Sequence, residues 1–222
     1  DPRSKLPKKE MKPLNPNAGK PEYDPAFFSE GYYGKGERGG FPSYDYHSDE
    51  QKFQLALKLE VCNHVPHDSA LFVGCARGFE VAYWKANKAI DVCGVDVSEW
   101  AIKNQIPEAN GSCWLYDGVT LGFPDSVADL VASYDVLTLL PEGMLEKLAA
   151  EMVRVAKNGI VIRVYVKNWR NLDSPIDGID GATFKLRHFW QYDKLLTQSG
   201  KFKLDFVKIH GQYEATAIFQ RV

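Results

Sequence analysis

Apolar and polar positions along the chain change period several times, and those changes divide it. Ser48-Asp49-Glu50-Gln51 has the capping-box pattern, and Phe53, Ala56, Leu57 and Val61 then recur at helical spacing. After Pro66, short apolar runs alternate with helical stretches. The runs at 70–73, 91–95, 112–115, 130–133 and 160–166 read as buried strands, and 79–87, 99–104 and 142–155 as helices. This alternation builds βαβ units and a parallel sheet covered on both faces. The end of the chain breaks the rhythm. After a helix over 187–199, strands at 203–208 and 214–220 are separated only by a turn around Gly211, which makes them an antiparallel pair. The pattern predicts an α/β domain over 48–222: a seven-stranded, mostly parallel sheet with helices on both faces and an antiparallel C-terminal hairpin.

Upstream of Ser48 no core pattern exists. Residues 1–30 are proline-rich, with 6 of the 12 prolines in the first 25 positions, and read as an extended arm. Residues 31–47 interleave glycine with Tyr32, Tyr33, Tyr44 and Tyr46. They read either as a lid over a flat ligand or as a surface loop anchored by its tyrosines.

Composition narrows the function. Lys+Arg 27 against Asp+Glu 29 gives a net charge of −2, so the basic excess of a phosphate-neutralising nucleic-acid binder is missing. No apolar run approaches the roughly 18 residues of a membrane span, and no signal-peptide pattern opens the sequence. Cys62, Cys75, Cys93 and Cys113 form no C-x-x-C pair, which favours free thiols in a cytoplasmic protein over disulfides or zinc. No histidine pair has metal-ligand spacing, so no metal site is expected.

In an open α/β sheet, ligands bind beyond the carboxyl ends of the strands. The first such turn is Val73-Gly74-Cys75-Ala76-Arg77-Gly78, where small residues let a backbone approach a ligand. The second strand ends in Gly94-Val95-Asp96-Val97-Ser98, and its Asp96 is placed to accept hydrogen bonds from a ribose diol or to cap the next helix. The third runs into Leu115-Tyr116-Asp117-Gly118, and the fourth into Tyr134-Asp135-Val136-Leu137.

These segments, in this order, resemble the class I (Rossmann-like) S-adenosylmethionine-dependent methyltransferases. The resemblance implies Gly74, Cys75, Ala76 and Gly78 at the cofactor's methionine end, and Asp96 and Val97 on its ribose. It also implies Asp117 and Gly118 near its adenine, and Tyr134 beside the methyl donor. Gly122-Phe123-Pro124-Asp125 approaches strand four in the family's manner, and the C-terminal hairpin matches the family's reversed last strand. Two positions depart. The family's first acid is Phe72 here, and its central glycine is Ala76. Tyr33, Tyr44 and Tyr46 are the candidates to replace the lost contacts.

Methyl transfer from a sulfonium needs alignment and, for an O–H or N–H acceptor, a base. His188, Tyr134 and Asp135 are the candidates for acid/base or packing roles, and 168–183 is long enough to cover a substrate. The expected activity is methylation of an O or N atom on a small molecule or peptide side chain, yielding S-adenosylhomocysteine; nucleic-acid acceptors are disfavoured. A degenerate domain serving as a binding scaffold is the alternative, which Phe72 and Ala76 favour. An NAD-dependent oxidoreductase fits less well, because the hairpin does not suit it.

Overall fold

The computed structural model of the protein describes residues 24–33, 45–88, 90–167, 186–210 and 213–222. Its centre is a seven-stranded sheet in the order β3-β2-β1-β4-β5-β7-β6. The strands are β1 (Ser69–Val73), β2 (Asp91–Asp96), β3 (Cys113–Leu115), β4 (Ala128–Tyr134), β5 (Ala156–Tyr165), β6 (Phe202–His210) and β7 (Glu214–Arg221). β1 through β5 are mutually parallel, and β7 inserts antiparallel between β5 and β6. The expected hairpin is therefore present, with its second strand turned inward against β5. The order reverses at β1, with β2 on one side and β4 on the other, and in open α/β sheets ligands bind at the carboxyl ends of the strands at such a point.

The helices are α1 (Glu30–Tyr33), α2 (Asp49–Cys62), α3 (Phe79–Lys88), α4 (Glu99–Lys103), α5 (Glu142–Val155) and α6 (Phe189–Thr197). Ser48 starts α2 as the sequence predicts, its hydroxyl accepting from the Gln51 N–H at 3.3 Å. Because β1 and β4 are buried on both faces, two cores form. On one face Leu55 and Cys62 of α2 meet Phe79, Val81 and Trp84 of α3 over Ala70, Phe72 and Leu130. On the other, Leu145, Leu148 and Met152 of α5 and Tyr192 and Leu196 of α6 cover Leu71, Val131 and Ile160. These helices follow apolar spacing that the sequence displays, and burial of each large apolar side chain stabilises the fold by about 2 kcal/mol.

The segment before α2 differs from its expected form. Residues 25–30, the end of the expected arm, are not extended, and 31–33 of the expected loop continue a helix. Asp24 caps a 3-10 turn over Pro25–Phe27, α1 follows, and Phe28, Tyr32 and Tyr33 are buried in the α5–α6 core. Their rings pack edge to face, with centroids 5.1 Å apart for Phe28–Tyr32 and 4.8 Å for Tyr32–Tyr33. Tertiary aromatic contacts hold a segment too short to be a stable helix by itself. Tyr44, the turn at Gly211 and the 168–183 loop lie outside the described residues.

Candidate active site

The turn between β1 and α3 is built from left-handed residues. Gly74 has φ +80, Ala76 φ +48 and Gly78 φ +86. A Cβ on Gly74 would lie 2.0 Å from Val136 Cγ2, and one on Gly78 would lie 2.5 Å from Ala109 Cβ. Glycine at both positions thus satisfies close packing as well as backbone conformation. Ala76 has no such freedom, and left-handed φ costs a side-chain-bearing residue about 1 kcal/mol. Ala76→Gly is accordingly expected to stabilise the protein by about 0.5–1 kcal/mol, less the entropy that glycine adds to the unfolded chain. A urea midpoint that fell would show that the turn carries no strain there.

The same turn spends four of its N–H groups within the fold. Gly74 and Cys75 both donate to the Val95 carbonyl, at 2.8 and 3.0 Å, and Gly78 donates to Cys75 O at 2.8 Å. Ala76 donates to Asp96 Oδ2 at 2.8 Å. A dinucleotide site uses such groups to hold a pyrophosphate. These four are satisfied within the fold and are not offered to a phosphate.

Asp96 ends β2 with 4% of its surface exposed. Its Oδ1 accepts from Ser98 N at 2.8 Å and its Oδ2 from Ala76 N at 2.8 Å, so it ties the two strand-end turns together. Each oxygen retains acceptor capacity for a hydroxyl. Burial pushes its carboxyl up to about 6, against the pull of the backbone N–H donors. Val97 beside it is half-buried against the α5–α6 core. Ser98 caps α4 and sends its own hydroxyl proton to the Phe28 carbonyl, while Tyr33 stacks on Trp100, 6.0 Å between centroids and 9° between planes. Tyr33 therefore stands beside the segment that follows Asp96. Asp117 turns inward on its own loop, its Oδ1 accepting from Val119 N at 2.9 Å and Thr120 N at 2.6 Å, with Gly118 at φ +89 closing the turn.

The end of β4 is more polar than the sequence discloses. Tyr134 points toward α2, its hydroxyl 3.2 Å from Cys62 Sγ. Burial and that neighbouring thiol push its phenol well above the usual tyrosine range. Asp135 takes a left-handed backbone, φ +64, and both its carboxylate oxygens engage Arg163 of β5, with Nε at 2.9 and 3.2 Å. Phe72, at the family's acidic position, lies 2% exposed and edge-on to Trp84 with centroids 4.8 Å apart. Cys75 is buried behind the turn, not lining its outer side. His188 caps α6 by position and its backbone N–H donates to Gln191 Oε1 at 3.0 Å, one residue beyond the Val166–Arg187 bridge that prolongs β5.

The structure thus brings Gly74, Ala76, Gly78, Asp96 and Val97 together at the adjoining ends of β1 and β2, with Asp117, Gly118 and Asp135 at neighbouring strand ends and His188 beyond β5. Tyr134 is at this edge but faces α2. Sequence reasoning missed Arg163, whose position inside an apolar strand was the available signal, and Val136, whose methyl dictates Gly74. Among the described residues no cluster of His, Cys, Asp and Glu could hold a metal ion.

This arrangement of sheet and strand-end turns defines a class. Residues 71–163 match a family model described as a methyltransferase domain. Among solved structures, a protein of Pyrococcus horikoshii superposes with a TM-score of 0.64 at 16% identity, covering 87% of this chain and 96% of that one. Magnesium protoporphyrin IX methyltransferase from Synechocystis, with bound S-adenosylhomocysteine, gives 0.58 at 19% identity, covering 80% and 84%. A [4+2]-cyclase gives 0.63 at 14%, covering 80% and 84%. A search of curated proteins finds no match. The chain thus has the class I methyltransferase fold, and residues 71–163 within it resemble a methyltransferase domain.

Proposed function

We propose that the protein transfers a methyl group from S-adenosylmethionine to an oxygen or nitrogen of a small molecule or a peptide side chain. The observation that carries this reading is the Asp96 knot: a buried carboxylate at the end of β2, bound to a turn whose Gly74, Cys75, Ala76 and Gly78 N–H groups are spent internally. That donor set fits a ribose diol without a pyrophosphate. When bound, the cofactor supplies a methyl activated by its sulfonium. Asp96, with Val97 beside it, would accept the ribose hydroxyls, and Asp117 would border the adenine end. Tyr33 on Trp100 shields the strand end from water.

The three candidates for acid/base work separate on their contacts. Tyr134 keeps its proton and packs against α2. Asp135 has both oxygens bound to Arg163, so it serves as a fixed charge orienting the end of β4. His188 is left to take the acceptor's proton. His188→Ala is expected to lower kcat by about a hundredfold while leaving S-adenosylhomocysteine affinity within twofold. An unchanged rate removes it from the mechanism.

Four free, buried cysteines support a cytoplasmic setting, and the net charge of −2 favours a small acceptor over nucleic acid. No helix among the described residues is long and apolar enough to cross a membrane. Incubation with methyl-tritiated cofactor and fractionated metabolites tests the activity: label should enter the small-molecule or peptide fraction. A second reading, a binding module on the same fold, is favoured by Phe72 and Ala76, and the structural likeness to a cyclase shows that the fold itself does not impose methyl transfer. Cofactor binding with no label transferred to any fraction would favour that module.

A further inference from the structure

One fixed cation and one fixed anion are a matched pair for an amino-acid zwitterion, because each replaces the water that one end gives up with a charge-assisted hydrogen bond. Around the β1–α3 turn most charged side chains are committed. Asp96 receives two backbone N–H groups, and Asp135 is clamped by Arg163. Arg77 turns Nε to the Asn104 carbonyl at 2.9 Å. Phe72 brings no charge at all.

One opposed pair stands apart. Lys58 of α2 meets Glu80, in the first turn of α3, with Nζ 2.5 Å from Oε1. Their side chains are only 12% and 14% exposed. Lys58 Nζ also lies 4.6 Å from the centre of the Tyr134 ring, at the end of β4. Glu80 is two residues past Gly78 and acts electrostatically on Asp96, at the end of β2, as well as on Tyr134. The pair therefore sits between the ends of β2 and β4, beside the turn. Among the described residues, Lys58 donates its ammonium to Glu80 alone and Glu80 accepts through Oε1 alone. One carboxylate oxygen and two ammonium protons remain for a ligand. A largely buried ion pair is also a poor stabilising device, because desolvation of both charges offsets their attraction.

We propose that Lys58 and Glu80 read the α-amino-acid end of the methyl donor, the ammonium taking its carboxylate and the carboxylate its amino group. The pair then does, from two helices, what Phe72 cannot do from β1. This inference rests on the donor assignment made under Proposed function.

Calorimetric titration with three probes tests it: S-adenosylhomocysteine, its decarboxylated analogue, and 5′-methylthioadenosine, which lacks the amino-acid end. The parent protein should prefer S-adenosylhomocysteine to each of the others by at least tenfold, the scale of charge-assisted bonds. The double variant Lys58→Met/Glu80→Met leaves no charge unpaired, and should erase that preference while holding methylthioadenosine within twofold. If it does not fold, Lys58→Arg should keep the preference and Lys58→Gln lose it. A parallel fall in affinity for all three probes would make the pair a structural strut and overturn the proposal. So would an intact preference in the double variant. Failure of the parent protein to bind any of the three would overturn the donor assignment itself, and this inference with it.

Discussion

Asp96→Ala is expected to bind S-adenosylhomocysteine at least tenfold more weakly than the parent protein. A carboxylate that accepts two hydroxyls contributes on the scale of charge-assisted hydrogen bonds, each about 1.5–3 kcal/mol, and 1.4 kcal/mol is already a factor of ten. The variant also strips the Ala76 and Ser98 N–H groups of their acceptor, so part of the loss comes from loosening of the turn. Asp96→Asn separates the two, since its amide oxygen restores one acceptor without the charge. Unchanged affinity in both variants would place the ribose elsewhere.

The same residue gives the binding a pH dependence. The carboxyl ionises at about 6 because it is buried, and only the ionised form accepts from both hydroxyls without a competing proton. Affinity for S-adenosylhomocysteine should therefore fall as pH drops through 6, and Asp96→Asn should flatten the profile. Stability moves the opposite way. A carboxyl raised in the folded state stabilises the fold fully below its unfolded value, near 4, and loses that contribution as pH rises through about 6. The integrated change is about 3 kcal/mol at most. Urea midpoints at pH 5 and pH 7 check the sign against those of Asp96→Asn.

Gly74→Ala is expected to destabilise the protein by about 2–4 kcal/mol. The residue's φ of +80 disfavours any side chain by about 1 kcal/mol, and the new Cβ would stand 2.0 Å from Val136 Cγ2. Valine at 136 is β-branched and cannot swing away cheaply. A double-mutant cycle divides the cost: Val136→Ala in the Gly74→Ala background should restore the steric part and leave the backbone part. If the two changes add with no coupling, Val136 is not what excludes a side chain at 74.

The motifs were legible where chemistry and backbone coincide along the sequence. Alternating apolar runs foretold each strand within a few residues, and the hairpin's lack of an intervening helix foretold the antiparallel end. Asp96 and the 74–78 turn could be named because a strand end and its following turn are local. What the pattern withheld depends on distant segments meeting. Nothing near Tyr134 announces that its hydroxyl turns to Cys62, 72 positions earlier. Arg163 becomes the partner of Asp135 only because β4 and β5 pair in register. The burial of residues 28–33 was hidden for the same reason: a proline-rich approach looks extended, while Trp100 and Ser98, which hold it, come about seventy residues later.

The central claim is that the site beyond β1, β2 and β4 takes an adenosyl amino acid and not a dinucleotide. Calorimetric titration of the full chain with S-adenosylhomocysteine and, separately, with NAD tests it most directly. Saturable binding of S-adenosylhomocysteine, with no heat from NAD at millimolar concentration, is the predicted result. Binding of NAD without binding of S-adenosylhomocysteine would contradict it.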